Sequence, residues 1–155
     1  MRTDFQNARE DGNMISCIET VLVYNEFFSF LEEKFGRRAV EEYWRYVADT
    51  IFREPRRIIE KEGLDGVYRY LRDTWEEEGD TFEIYHDGSS VTVDVNSCSS
   101  IGKLNEARHV RRYHDYCGHC LIMYRRLFSS LGYDFEIERI DPAKGMCRVK
   151  VTRKS

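Results

Sequence analysis

The stretch Thr81-Phe82-Glu83-Ile84-Tyr85-His86-Asp87-Gly88-Ser89-Ser90-Val91-Thr92-Val93-Asp94-Val95 decides the fold. Phe82 and Ile84, then Val91, Val93 and Val95, alternate with mostly polar neighbours. Successive side chains of a strand point to opposite faces, so this period of two marks strands with one buried side. His86-Asp87-Gly88-Ser89 between them is turn chemistry, and the pair reads as a β-hairpin. Upstream of Gly79 the period is helical. Ser16-Cys17-Ile18-Glu19 fits a capping box. Ile18, Val21, Leu22, Phe28, Leu31 and Phe35 then recur at helical spacing until Gly36. Arg37 to Arg53 predicts a second helix, with Val40, Tyr43, Trp44, Val47 and Ile51 on one face. A short third helix starts at Pro55 and stops at Gly63. Asp65 is the expected cap of a fourth, lined by Val67, Tyr68, Leu71 and Trp75 and closed by Glu76-Glu77-Glu78-Gly79.

Downstream of the hairpin, Ser97 to Arg112 reads as a polar connection with room for a short helix. Tyr113 to Leu131 reads as a helix ended by Gly132. Tyr133 to Ile140 and Met146 to Thr152 read as strands around the turn Asp141-Pro142-Ala143-Lys144-Gly145. The order predicts an α+β domain: a helical N-terminal half packed on a four-stranded antiparallel sheet, with hairpin, helix and hairpin in the C-terminal half. One domain spanning 1–155 is expected, with a flexible tail over 1–13, a helical part over 14–79 and the sheet part over 80–155.

The composition is that of a soluble globular chain, 155 residues long and rich in Tyr and Phe, with a net charge of -4 and an isoelectric point near 5.6. That balance offers no footprint for nucleic acid. No apolar run reaches the ~20 residues of a membrane span. Met1 to Asn13 lacks the apolar stretch of a secretory leader. The odd count of 5 cysteines argues for reduced thiols rather than a disulfide framework. A cytoplasmic protein follows as the expectation, with a small-molecule substrate, no nucleic acid or membrane partner, and a homodimer left open.

Four cysteines, Cys98, Cys117, Cys120 and Cys147, lie in the C-terminal half, while Cys17 stands alone on the first helix and reads as core. Taken singly, a free cysteine is most often a small buried hydrophobe. Three chemical readings stand beside that one. Cys117-Gly118-His119-Cys120 is a tetrapeptide used by disulfide isomerases. Here, however, the charged run Arg108 to Asp115 precedes it instead of a buried strand, and only Pro142 follows. A zinc site would use Cys98, Cys117, Cys120 and Cys147, although the paired spacing occurs once rather than twice. Nucleophilic catalysis would use a thiol near a helix start, where the dipole favours the thiolate. Cys117 fits that place, with His114 three residues before it. His119 is a partner only if the chain is still irregular there. Arg112, in the basic group Arg108, Arg111 and Arg112, is a candidate for holding a substrate carboxylate.

Val95-Asn96-Ser97-Cys98-Ser99-Ser100-Ile101, Tyr116-Cys117-Gly118-His119-Cys120 and Gly145-Met146-Cys147-Arg148-Val149 together resemble the L-2-amino-thiazoline-4-carboxylic acid hydrolase-like family. The resemblance covers roughly the last 75 residues. It implies that Cys98, Cys117 and Cys147 are family positions. The position of Cys120 is often acidic there, so this chain looks like a subgroup. The implied activity is hydrolysis of a C–N bond in a cyclic amidine or thiazoline-like compound, without a cofactor. Such a reaction needs an attacking group, a proton donor for the departing nitrogen and a group to orient the substrate. Cys98 or Cys117 with His119 or His114 are the catalytic candidates, and Arg112, Tyr113, Tyr116 and Cys147 the candidates for substrate contact. The alternative is a non-enzymatic zinc- or small-ligand-binding or redox-sensing module built on the same cysteines. If the cysteines form one site, Cys98, Cys117 and Cys147 are expected beside a pocket with aromatic walls. Tyr113, Tyr116 and either Trp44 or Trp75 are the candidates for those walls.

Overall fold

The computed structural model describes residues 18–155. The tail over 1–13, the capping residue Ser16 and Cys17 lie outside the described residues. Four helices come first: α1 (Ile18–Phe35), α2 (Arg37–Ile51), α3 (Arg53–Glu62) and α4 (Leu64–Glu78). The hairpin β1 (Thr81–His86) and β2 (Ser90–Ser97) follows, then α5 (Ser99–Glu106), α6 (Gly118–Ser129), β3 (Tyr133–Asp141) and β4 (Met146–Arg153). The strands form one antiparallel sheet in the order β1-β2-β4-β3. The domain is α+β with its helices mostly before Gly79 and its sheet after it, as the change of period predicts.

The sheet register follows from the alternation. Val91, Val93 and Val95 face Val151, Val149 and Cys147 across β2 and β4, and Phe135, Ile137 and Arg139 continue the rows on β3. The valines are buried, and their polar neighbours Asp94 and Arg148 pair across the other side of β2 and β4. The Asp87 carboxylate closes the first hairpin by accepting the N–H groups of Ser89 and Ser90 at 2.9 and 2.7 Å. These bonds hold its carboxyl well below the usual range. Gly88 supplies the positive φ of 85° that the turn requires.

Above the sheet, α6 packs on β3 and on α2, and α4 covers β1. The core is strongly aromatic. Phe128 stacks against Phe135 at 5.6 Å and Phe28 meets Trp44 edge-on at 5.1 Å. Trp44, Phe28, Phe128 and Leu127 are fully buried, which contributes roughly 1.5–3 kcal/mol each. On α2 the buried residues are Val40, Trp44 and Ala48, one per turn.

Several boundaries differ from the sequence reading. α2 ends at Ile51, and α3 begins at Arg53 rather than Pro55. Pro55 then sits in the first turn, where its missing N–H costs nothing. Asp65 does not cap α4. Gly63 occupies that place with φ 62°, and Asp65 lies in the first turn beside the Nε2 of His86 at 3.2 Å. Phe35 and Ile51 fit the apolar pattern but are exposed. The largest difference is α6, which starts at Gly118 rather than Tyr113. The segment before it is tied to α1 by Asn25, which is fully buried. Its Oδ1 accepts the Tyr113 N–H at 2.8 Å and its Nδ2 donates to the Arg111 carbonyl at 3.0 Å. Over 113–118 the chain closes in tight turns, with the Tyr116 N–H on the Tyr113 carbonyl and the Gly118 N–H on the Asp115 carbonyl, before the helix begins.

Candidate functional site

A cavity of about 710 Å³ opens between α1, α4, α6 and the start of α5. Its walls include Tyr24, Phe52, Tyr70, Trp75, Tyr116 and Tyr124. Its carboxyl, thiol and imidazole groups come from four places: Glu78 at the end of α4, Asp80 after it, Cys98 before α5, and Cys117, His119 and Cys120 around the start of α6. The late start of α6 creates this arrangement. Cys117 becomes the residue flanking the helix, and His119 and Cys120 fall in its first turn.

Local backbone needs account for the motif. The Gly118 N–H bonds the Asp115 carbonyl at 2.9 Å, and a Cβ on Gly118 would lie 2.7 Å from the Asp115 carboxyl carbon. That carboxylate takes Arg37 at 2.6 Å and Arg139 at 3.0 Å, so it has little room to yield. Gly145 has φ 71°, and a Cβ there would come 2.6 Å from the Cβ of Cys98. The glycine before Cys147 therefore lets the second hairpin close onto the residue that precedes α5.

His119 is oriented from both sides. Its Nδ1 contacts the Tyr116 carbonyl oxygen, which can only accept, so Nδ1 carries the proton. Nε2 then presents its lone pair to the Cys120 thiol, 3.4 Å away. His119 and Cys120 are surrounded by protein yet keep accessible surface, because they face the cavity. Burial lowers His119 to about 4 and raises the Cys120 thiol well above its ordinary value. The resting pair is a neutral thiol donating to a neutral imidazole.

The other thiols are also held protonated. Burial, with the nearby Asp80 carboxyl, pushes Cys98 up to about 11. Burial raises Cys117 too, against the opposing charges of Arg139 and Arg112. Burial and the neighbouring thiols raise Cys147 to about 12. Cys98 and Cys117 share the cavity as expected. Cys147 lies behind it on the inner face of β4, paired in register with Val95 and Arg139. Among the described residues, no three His, Cys, Asp or Glu side chains converge closely enough to hold a metal ion. The set Cys98, Cys117, Cys120 and Cys147 therefore does not form a ligand sphere here.

The remaining candidates are drawn to a second, shallower groove. His114 is largely exposed and meets Glu32 at 2.8 Å. The Tyr113 hydroxyl contacts Glu32 and receives Arg37 at 3.0 Å. Arg112 donates to the Pro142 carbonyl at 3.0 Å. All three line that groove and none lines the cavity. Of the two tryptophans, Trp75 is in the wall and Trp44 is not.

The sequence reading missed Glu78 and Asp80. Glu78 lines the cavity and is exposed to solvent, yet the protein packed around its carboxyl raises it to about 7, helped by Asp80. Asp80 accepts the Ser99 N–H at 2.6 Å and so caps α5. Burial raises its carboxyl against those hydrogen bonds, and its Oδ2 is buried without a partner. One signal was present. Glu76-Glu77-Glu78 places three negative charges at a helix C-terminus, where the dipole opposes them.

No family model and no curated protein matches the chain. Among solved structures it is similar to the Fe(II) unliganded H-NOX protein from K. algicida, at 16% identity and a TM-score of 0.33, covering 97% of this chain and 69% of that one. An alanine-to-glycine variant of that protein is similar at 15% identity, with the same coverage and TM-score. Likeness at that level leaves the site of this chain to be read from its own residues.

Proposed function

We propose that the chain takes a small, compact organic molecule into the aromatic cavity and hydrolyses a C–N bond of a cyclic amidine or thiazoline-like ring, with Cys120 as nucleophile and His119 as its base. The observation that carries this reading is the oriented pair: the Cys120 sulfur 3.4 Å from a His119 Nε2 whose other nitrogen is fixed by a backbone carbonyl. This assigns the chemistry to Cys120 rather than to Cys98 or Cys117.

The Cys120 sulfur bonds to the amidine-like ring carbon while the ring C–N bond breaks. The thiol proton passes through His119 Nε2 to the departing ring nitrogen. The ring carbon is left bound to the Cys120 sulfur as a thioimidate. Water then adds to that carbon, one of its protons goes to the imine nitrogen and the other to the Cys120 sulfur, and the C–S bond to Cys120 breaks to release a carbamoyl product. Because the pair is neutral at rest, the thiolate forms only as the proton moves, and the start of α6 favours that negative charge. A base so placed contributes on the order of 10²- to 10⁴-fold.

The test uses 2-amino-2-thiazoline, with ring opening followed by NMR and the protein by intact mass. Turnover, with a transient adduct, is expected to vanish in Cys120→Ala and to fall at least about 100-fold in His119→Gln. Unchanged turnover in Cys120→Ala removes the reading. A second reading is a module that binds its ligand without turning it over. It is favoured by the direction of all four thiol shifts and the histidine shift, each toward the unreactive neutral form. Ligand-induced thermal stabilisation with no product would support it.

A further inference from the structure

The cavity that the hydrolase reading takes as its substrate site has a one-sided charge inventory. Glu78 and Asp80 line it, and among the described residues no lysine or arginine does. Arg112, the candidate for holding a substrate carboxylate, donates to the Pro142 carbonyl and lines the other groove. Around the carboxyls stand aromatic rings in mutual contact. Trp75 lies 6.0 Å from Tyr124, Phe52 stacks on Tyr124 at 5.6 Å, and Tyr70 lies 6.4 Å from Phe52. Ring faces attract a desolvated cation and repel an anion. A carboxylate entering this space would meet two carboxyls and several ring faces with no countercharge, at the cost of losing its water.

We infer that the cavity selects an organic cation, an amidinium on a compact ring, and rejects carboxylate-bearing members of the same ring class, with Glu78 as the specificity-determining residue. Glu78 lines the cavity with Trp75 and Tyr124, so its carboxylate meets the cationic nitrogen while the rest of the ring packs against those side chains. Asp80 adds negative potential from behind, its Oδ1 held by the Ser99 N–H. Among the described residues, the charged and titratable groups that act on Glu78 are Asp80, Glu77 and Tyr70 on the same helix, Lys103 on α5, and Cys120 and Tyr124 on α6. Lys103 is the single cation among them, and it does not line the cavity. Burial and Asp80 leave the Glu78 carboxyl titrating at about 7, so its charge, and with it the attraction, grows across neutral pH.

Binding is measured by calorimetry on the Cys120→Ala chain, which cannot turn the ring over, so that recognition is read apart from hydrolysis. The probes are 2-amino-2-thiazoline, its 4-carboxylate and neutral thiazole. The amidine is expected to bind at least about 10-fold more tightly than either of the others. Glu78→Gln is expected to remove about 10-fold of amidine affinity, leave thiazole unchanged and flatten the rise in affinity between pH 6 and 8. Glu78→Asp is expected to recover part of the loss, which separates charge from fold. Equal or tighter binding of the carboxylate, undetectable binding of the amidine, or an unchanged affinity in Glu78→Gln would overturn the inference. Amidine binding without turnover in the unmodified chain would leave it standing while removing the hydrolase.

Discussion

Replacing Asn25 by alanine tests how the segment that leads into α6 is held against α1. The side chain is fully buried and makes two bonds to one backbone segment, 2.8 Å from the Tyr113 N–H and 3.0 Å to the Arg111 carbonyl. In the alanine variant the Tyr113 N–H is left buried and unpaired, which costs about 1–3 kcal/mol. Arg111 is exposed, so water can reach its carbonyl, and the second loss is nearer about 1 kcal/mol. The sum is about 2–4 kcal/mol. For a chain of this length, that corresponds to a fall in melting temperature of roughly 4–16 °C. Urea unfolding is the assay, with the slope m checked for constancy so that the midpoint alone reports stability. Asn25→Asp retains the acceptor for Tyr113 but sets a buried carboxyl against the Arg111 carbonyl and the Glu26 carboxylate, and is expected to lose at least as much as alanine. Amide exchange over 111–117 is expected to speed up in both variants. A loss below about 0.5 kcal/mol in Asn25→Ala, with exchange unchanged, would refute the account.

Gly118→Ala is expected to destabilise the chain by about 1–3 kcal/mol, read by the same urea titration, because its Cβ displaces the Asp115 carboxylate from Arg37 and Arg139. The Glu78 carboxyl titrates higher in the folded chain than in the unfolded one. The stability it contributes is therefore present below the unfolded value and is lost as pH rises through about 7. Glu78→Gln is accordingly expected to gain on the unmodified chain between pH 5 and 8, and a pH-independent difference in chemical denaturation would contradict that. His119 behaves in the opposite sense. Lowered to about 4, it contributes stability present above the ordinary histidine range and lost as pH falls toward 4, so His119→Gln is expected to blunt the loss of thermal stability between pH 6.5 and 4. In alkylation mapped by mass spectrometry at pH 7, Cys117 is expected to react first of the four described thiols, since the Arg139 and Arg112 guanidiniums favour its thiolate against burial. Faster modification of Cys147 would run against that order.

The sequence by itself carried the elements. Period two over 82–95 and helical period before Gly79 are properties of neighbouring residues, and the hairpin, the sheet strands and the first four helices follow from them. So do the turns at Asp87-Gly88 and Asp141 to Gly145, because their backbone angles demand particular residue types locally. Cysteine and histidine placement also singled out the segment 98 to 120, parts of which line the cavity. Which of those residues share a space was a different matter. Tyr113 to Leu131 has a helical pattern throughout, but 113–118 closes in tight turns tied to α1 by Asn25, distant in sequence, and the helix starts at Gly118. That late start puts His119 and Cys120 in the first turn, facing the cavity, with His114 in the other groove. It also leaves Arg112 and Tyr113 on another face. Glu78 and Asp80 read as a helix end and a loop until α5 and α6 close over them, since a carboxyl's charge and partners depend on surroundings that only the folded chain assembles.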